Sequence, residues 1–336
     1  MNANALFKAA TLHDVAREAG VSLITASRAL GNPKLVSDAT ILKVQAAAEV
    51  VGYIPNLLAG GLKSKRSRMV ACLVPTISVA QFLPTVQALT ESLSAAGYQL
   101  ILGQTGYDHQ HEEALINTMI SRRPDGIVLT GLVHSARSRE RLRRVGIPVV
   151  ETWDLSNRPV DMLVGFSHTQ VGAAIAHYFL AKGWQRVGIA TGDDHRGALR
   201  REGFLTAMGH DVPTAVVPAP SSLALGRCAL VELLEQAPTL QAVYCSSDQL
   251  AQGVMAEALA RGIRVPDDLA VCGFGNADFA AHMHPSLTTV HVDGAKIGKL
   301  TARMVIDRCQ GIPIANPVVD VGFQIIERHS TSLGQP

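Results

Sequence analysis

Histidines, carboxylates, serines and glycines at short spacings carry most catalytic, metal and phosphate chemistry, and this chain of 336 residues offers several such groupings. His282-Met-His284, His109-Gln-His111 and His210-Asp211 bring nitrogen and oxygen donors close together, but none has the spacing of an established zinc site. No metal is expected. After the first apolar run stands Leu73-Val-Pro-Thr-Ile-Ser78, where a dinucleotide-binding fold would carry GxGxxG, and Gly273-Phe-Gly275 supplies two glycines only. There is no P-loop and no GxSxG elbow. The residues therefore point to noncovalent recognition, with no enzyme activity and no cofactor.

Charge says where one recognition surface lies. Residues 1–68 hold nine basic side chains against four acidic ones, whereas the remaining 268 hold 21 basic and 24 acidic, an asymmetry hidden in a net charge of +2. A basic head on an ordinary body suits a polyanion such as nucleic acid, or else a solvated basic face. With 47% hydrophobic residues the chain can bury large cores. Cys72, Cys228, Cys245, Cys272 and Cys309 share no CxxC spacing and read as packed thiols of a reducing compartment. The first residues lack a signal-peptide run and no stretch is long enough to span a membrane, so a cytoplasmic protein without membrane contact is expected.

The elements that must position these residues follow from period and punctuation. Thr11-Leu-His-Asp14 resembles a capping box and predicts a helix to Glu18 or Ala19, closed by Gly20. Ser22 can cap a second helix, Leu23 to Leu30, which Asn32-Pro33 breaks. Ser37 can cap a third from about Asp38, with Ile41, Val44, Ala48 and Val51 on one face until Gly52. Two short helices across a glycine turn make a helix-turn-helix arrangement. From residue 69, apolar runs at 69–75, 99–104, 126–130, 148–152, 186–191, 242–248 and 270–275 alternate with helical stretches. This is the pattern of an α/β fold with two doubly wound parallel sheets, whose ligands bind at the carboxyl ends of the strands. Glu151, Asp154, His134, Arg196 and Asn276 follow such runs or lie in neighbouring loops.

The run from Thr11 to Leu30, THDVA-like at its start and continuing Arg-Glu-Ala-Gly-Val-Ser-Leu-Ile-Thr-Ala-Ser-Arg28, followed by Gly52-Tyr-Ile-Pro-Asn56, resembles the head of the LacI/GalR family of bacterial transcription regulators. The resemblance continues over 69–330 in Arg123-Pro-Asp-Gly-Ile-Val-Leu129, Gly183-Trp-Gln-Arg-Val-Gly188, Arg200-Arg-Glu-Gly-Phe204, Ser247-Asp-Gln-Leu-Ala251, Val265-Pro-Asp-Asp-Leu-Ala-Val-Cys-Gly-Phe274 and Pro285-Ser-Leu-Thr-Thr-Val290. Val149-Val-Glu-Thr-Trp-Asp154 and Val164-Gly-Phe166 resemble the gluconate-repressor branch.

The resemblance implies a helix-turn-helix DNA-binding domain over 9–55, a hinge helix and linker over 56–68, and a two-lobed, periplasmic-binding-protein-like domain for effector binding and dimerisation over 69–332. In the head it implies that Thr11, Ser22, Thr25, Ser27, Tyr53 and Asn56 meet DNA, that Leu23, Ile24 and Arg28 read sequence, and that Leu62 wedges into the minor groove. Leu23 and Ile24 can only pack, for example on thymine methyls, unless they are core residues; 56–63 is otherwise a flexible linker. In the body it implies an effector cleft with Arg200 as the gripping arginine, Ser247 and Asp248 as polar contacts and Gln81 and Phe82 from the first lobe, joined by His134, Glu151, Asp154, Arg196 and Asn276. Gly275-Asn276 stands where many sugar-binding members carry an aspartate, which together with Arg200 favours a sugar acid such as gluconate or a ketogluconate over a neutral sugar.

The expected protein is a homodimeric repressor on a near-palindromic operator, released or tightened by a small effector. A neutral-sugar regulator, a transport-type sugar-binding protein and a sugar-acid enzyme are the alternatives. The last two leave residues 11–62 unexplained.

Overall fold

The computed structural model describes residues 9–54, 66–133 and 135–332. Two compact units divide at residues 67 and 68. The expected hinge residues, Asn56 and Leu62 among them, and His134 lie outside the described residues.

In the first unit, α1 (Leu12–Glu18), α2 (Leu23–Gly31) and α3 (Asp38–Val51) enclose a small core of Val15, Ala16, Ala19, Ala26, Ala29, Val44, Ala47 and Ala48. Local chemistry fixes each start. The Asp14 carboxylate accepts hydrogen bonds from the Thr11 amide (2.9 Å) and hydroxyl (2.7 Å), and the Ser22 hydroxyl accepts one from the Thr25 amide at 3.1 Å. Ser37 departs from expectation: its hydroxyl pairs with that of Thr40 at 2.9 Å and caps no backbone amide.

The second unit holds two six-stranded sheets. The first runs β11-β5-β4-β3-β1-β2, built from Met69–Val74 (β1), Gln99–Gln104 (β2), Gly126–Thr130 (β3), Val149–Thr152 (β4), Met162–Gly165 (β5) and Val318–Asp320 (β11). The second runs β12-β10-β9-β8-β6-β7, built from Val187–Gly192 (β6), Thr214–Val217 (β7), Ala242–Cys245 (β8), Ala270–Phe274 (β9), Thr288–His291 (β10) and Gln324–Ile326 (β12). All pairings are parallel except β10 with β12. Five of these strands, β5, β7, β10, β11 and β12, escape the sequence reading because each spans only three or four residues, too short for a period to register.

Helices cover the sheets: α4 (Leu83–Ala95), α5 (His109–Ser121), α6 (Ala136–Arg144) and α12 (Gly294–Cys309) in the first lobe; α7 (His168–Ala181), α8 (His195–Met208), α9 (Leu223–Gln236), α10 (Asp248–Ala260) and α11 (Asp278–His282) in the second. The chain passes between the lobes after β5, after β10 and between β11 and β12. Helices α7 and α8 approach closely through glycine: a Cβ on Gly172 would lie 1.9 Å from the Arg200 carbonyl oxygen, and one on Gly203 2.0 Å from that of Thr169. Cys72, Cys245 and Cys272 are buried as expected of packed thiols, but Cys228 is exposed, because α9 turns it to the face opposite Ala229, Leu230 and Leu233. No helix among the described residues is long and apolar enough to cross a membrane.

Candidate DNA-reading helix and effector cavity

Packing of α2 decides what its side chains can do. Ala26 and Ala29 face the core, so the helix presents its opposite side to solvent, where Leu23 is 37% and Ile24 64% exposed and Ser27 and Arg28 are exposed as well. This excludes the core reading of Leu23 and Ile24. Ser22 and Thr25 sit at the amino end of α2, their hydroxyls 2.8 Å apart. Two bulky apolar side chains and a guanidinium thus share the outer face at the start of one helix, the end whose free amides favour phosphate. Thr11 has its hydroxyl engaged by Asp14, and Tyr53 packs against the head core with its amide bonded to the Ala48 carbonyl at 2.8 Å.

In the body, the carboxyl ends of β1, β2, β3, β4 and β6 converge on a cavity of about 340 Å³, a size suited to a small polar metabolite. Asp154 comes from beyond β4, Thr105 and Tyr107 from beyond β2, and Asp193, Asp194, His195 and Arg196 from the β6–α8 turn. Asp194 caps α8, accepting from the Arg196 and Gly197 amides at 3.1 Å each, and Asp193 accepts from the Ala219 amide at 2.8 Å. Those two carboxylates hold the turn. Arg196 lies with its guanidinium over the Phe82 ring, 5.1 Å to the centroid, and its Nη1 has no hydrogen-bond partner although the side chain is buried.

Arg200, one turn further along α8, is buried behind Arg196. Its Nη1 lies 2.9 Å from His168 Nδ1, its Nη2 donates to the Ser246 carbonyl at 3.1 Å, its face covers Phe274 at 4.4 Å and its Nε is unpartnered. Because a guanidinium only donates, His168 Nδ1 accepts and the proton sits on Nε2, which donates to the Trp153 carbonyl at 2.9 Å. Burial, reinforced by Arg200 and Arg196, holds His168 neutral, well below the usual histidine range. Trp153 has φ 62° and its Nε1 donates to Thr85, locking the residue before Asp154 in a strained conformation.

Asp154 Oδ1 accepts from the Leu155 amide at 2.8 Å, while Oδ2 is buried with no partner. Burial raises its pKa, offset by the Leu155 amide and by Arg196, His195 and Arg200. Leaving buried donors and acceptors open costs about 1–3 kcal/mol each, so Arg196 Nη1, Arg200 Nε and Asp154 Oδ2 together describe a place for a ligand that both accepts and donates.

The other expected contacts fall elsewhere. Glu151 is fully buried and spent: its oxygens accept from the Val133 amide (3.0 Å), the Val160 amide (2.7 Å) and Arg139 (3.4 Å), and it does not line the cavity. One residue of strand alternation separates it from the open end that Asp154 reaches. Asn276 accepts from Arg328 at 2.7 Å and contacts His291 Nδ1 at 3.2 Å, also away from the cavity, so its replacement of an aspartate does not change the charge there. Ser247 caps α10. Asp248 is buried, accepts from Thr289 (2.5 Å) and the Ala277 amide (2.7 Å), and is pushed up to about 6 by burial. Gln81 approaches it across Gly275, where a Cβ would stand 3.5 Å from Gln81 Oε1 and 3.7 Å from Asp248 Oδ2. Sequence reading missed Tyr107, Asp193, Asp194 and His168. The first three directly follow strands, so the carboxyl-end rule applied evenly would have found them; nothing local marks His168.

Residues 11–56 match the family described as bacterial regulatory proteins, lacI family, and residues 176–331 match the periplasmic binding protein-like domain. The HTH-type transcriptional regulator GntR of Pseudomonas aeruginosa is 36% identical over 330 residues, covering 96% of this chain and 95% of that protein. The regulator of the same name from Escherichia coli K12 is 32% identical over 326 residues, covering 95% and 97%. A crystal structure of a LacI-family transcriptional regulator from Silicibacter pomeroyi superposes with a TM-score of 0.91 at 33% identity, over 96% of this chain and 99% of that one.

Proposed function

Because this chain belongs to the LacI family and is a DNA-binding transcriptional regulator with a helix-turn-helix head, we propose that it is a sugar-acid-responsive repressor whose effector lies in the cavity beside Asp154 and Arg196. Regulators of this family bind operator DNA and small-molecule effectors as dimers, and a homodimer on a near-palindromic operator is the assembly proposed for this chain.

One observation carries the effector reading: unpartnered donors on two buried arginines and an unpartnered acceptor on a buried aspartate meet in one cavity. A polyhydroxy carboxylate satisfies both. Its carboxylate takes the Arg196 guanidinium and its hydroxyls donate to Asp154. Arg200 stands behind as the second positive charge, held by His168. Likeness to two regulators named GntR supports the same class. The family position of Asn276 lends no support, nor does Glu151, whose oxygens are already taken. At the head, Leu23, Ile24 and Arg28 form the proposed base-reading set, with Ser22, Thr25 and Ser27 near phosphates.

Isothermal titration of the full chain with gluconate, 2-ketogluconate and glucose tests this. Tighter binding of the acids, lost in Arg196→Gln, is the expected result. Glucose binding more tightly than either acid would replace the reading with a neutral-sugar effector.

A further inference from the structure

In the first lobe every strand that follows a helix begins at one end of the sheet, so the carboxyl termini of α4, α5, α6 and α12 gather there with the starts of β1 to β5. This is the end opposite the cavity. It is also where the chain enters the body, since Arg66 and Arg68 immediately precede β1.

Arginines crowd this end. Arg122 and Arg123 close α5, Arg143 and Arg144 close α6, Arg308 ends α12, and all are exposed. The nearby acids are Asp125, Asp161, Asp307 and Glu140. Asp161 pairs with Arg308 at 2.8 Å, Glu140 with Arg144 at 2.6 Å and Asp307 with Arg303 at 3.5 Å, while Asp125 accepts from the Arg68 amide at 3.0 Å. Among the described residues, the guanidiniums of Arg122, Arg123 and Arg143 have neither a hydrogen-bond nor an ion-pair partner. Arg143 and Arg308 flank a shallow depression floored by Gly146 and Pro148.

Arg123 adds a backbone observation. It sits one residue beyond the cap of α5 at φ 51°, the left-handed conformation that glycine occupies at the same place after α4 (Gly97), α6 (Gly146) and α7 (Gly183). Here a guanidinium stands where the backbone favours no side chain. Part of the positive charge answers the negative ends of the helices, but that role needs no unpaired arginine on a strained residue.

We infer that this basic end of the body binds the phosphate backbone of duplex DNA flanking the site read by the head, adding sequence-independent affinity. The inference rests on the DNA-binding head and not on the identity of the effector. An acidic protein is the rival occupant; the entry of the linker at this same end favours the duplex, because any DNA held by the head is tethered to this end of the lobe and not to the cavity end.

The test uses the full chain with Arg122→Glu, Arg123→Glu and Arg143→Glu combined, and fluorescence anisotropy on a duplex of its own upstream DNA about 60 base pairs long against one trimmed to about 20. Each lost phosphate contact lowers the slope of log affinity against log salt by about 0.9, so a loss of about 2 to 3 in slope on the long duplex and almost none on the short one is expected. Arg123→Gly removes one charge while relieving the backbone: melting temperature should rise as the long-duplex slope falls by about 1. Equal slopes for parent and variants on the long duplex overturn the inference, and equal slopes with lost retention on immobilised poly-glutamate transfer the surface to an acidic protein.

Discussion

The guanidinium of Arg196, on the second lobe, lies flat over the ring of Phe82, on the first, 5.1 Å from its centroid. One side chain thereby spans the lobes and still leaves Nη1 facing the cavity without a partner. Cation–π contacts of this kind contribute about 0.5–2 kcal/mol. Phe82→Leu keeps most of the apolar volume and removes the quadrupole, so effector affinity should fall about three- to tenfold by calorimetry, with operator binding in the absence of effector unchanged. An unaltered effector affinity would show that the stack does not position Arg196.

Arg196→Gln removes a charge-assisted contact of about 1.5–3 kcal/mol. Sugar-acid affinity should drop about 10- to 150-fold, while any residual glucose binding changes far less. Equal losses for acid and neutral sugar would mean that Arg196 recognises hydroxyls and not a carboxylate.

His168 orients Arg200 by accepting from Nη1 at 2.9 Å while its Nε2 proton holds the Trp153 carbonyl. His168→Leu leaves the guanidinium with an open donor and should weaken effector binding about tenfold, whereas His168→Gln, able to accept and donate, should recover part of it. Identical losses in both variants would make His168 a packing residue only.

Arg28→Ala should cost about 1–3 kcal/mol of discrimination between operator and random duplex and leave the melting of the body unchanged, measured by competition anisotropy. Ile24→Ser should cost less in affinity and relax preference at a single base step.

Asp248 supplies a pH dependence. Its carboxyl is pushed up to about 6 when folded, against an unfolded value near 4. Below about pH 4 both states hold the proton; between 4 and 6 only the folded state does. Stability contributed by the protonated group is therefore present at low pH and fades as pH rises through about 6, a change of about 3 kcal/mol. Urea melts of the parent minus those of Asp248→Asn should show this fall and then a plateau. A difference that rises with pH would reverse the assignment.

Recognition of the head and of the parallel-sheet body was possible from residues alone, because the signals are short-range. Thr11 with Asp14 and Ser22 with Thr25 lie three apart, Gly20 and Pro33 interrupt the helices, and the long apolar runs alternate with amphipathic ones. The same rule that ligands meet the carboxyl ends of strands singled out Asp154 and Arg196. What residues alone did not reveal is how each polar group is spent. Glu151 and Asp154 differ by three positions in sequence, yet the first is consumed by amides of Val133 and Val160 and the second keeps an oxygen open to the cavity. Asn276 is claimed by Arg328, 52 residues away, and Arg200 is steadied by His168, 32 residues away. A side chain's type and local spacing set its chemistry; only the folded chain, by bringing distant donors and acceptors together and excluding water, decides which groups are left free to bind.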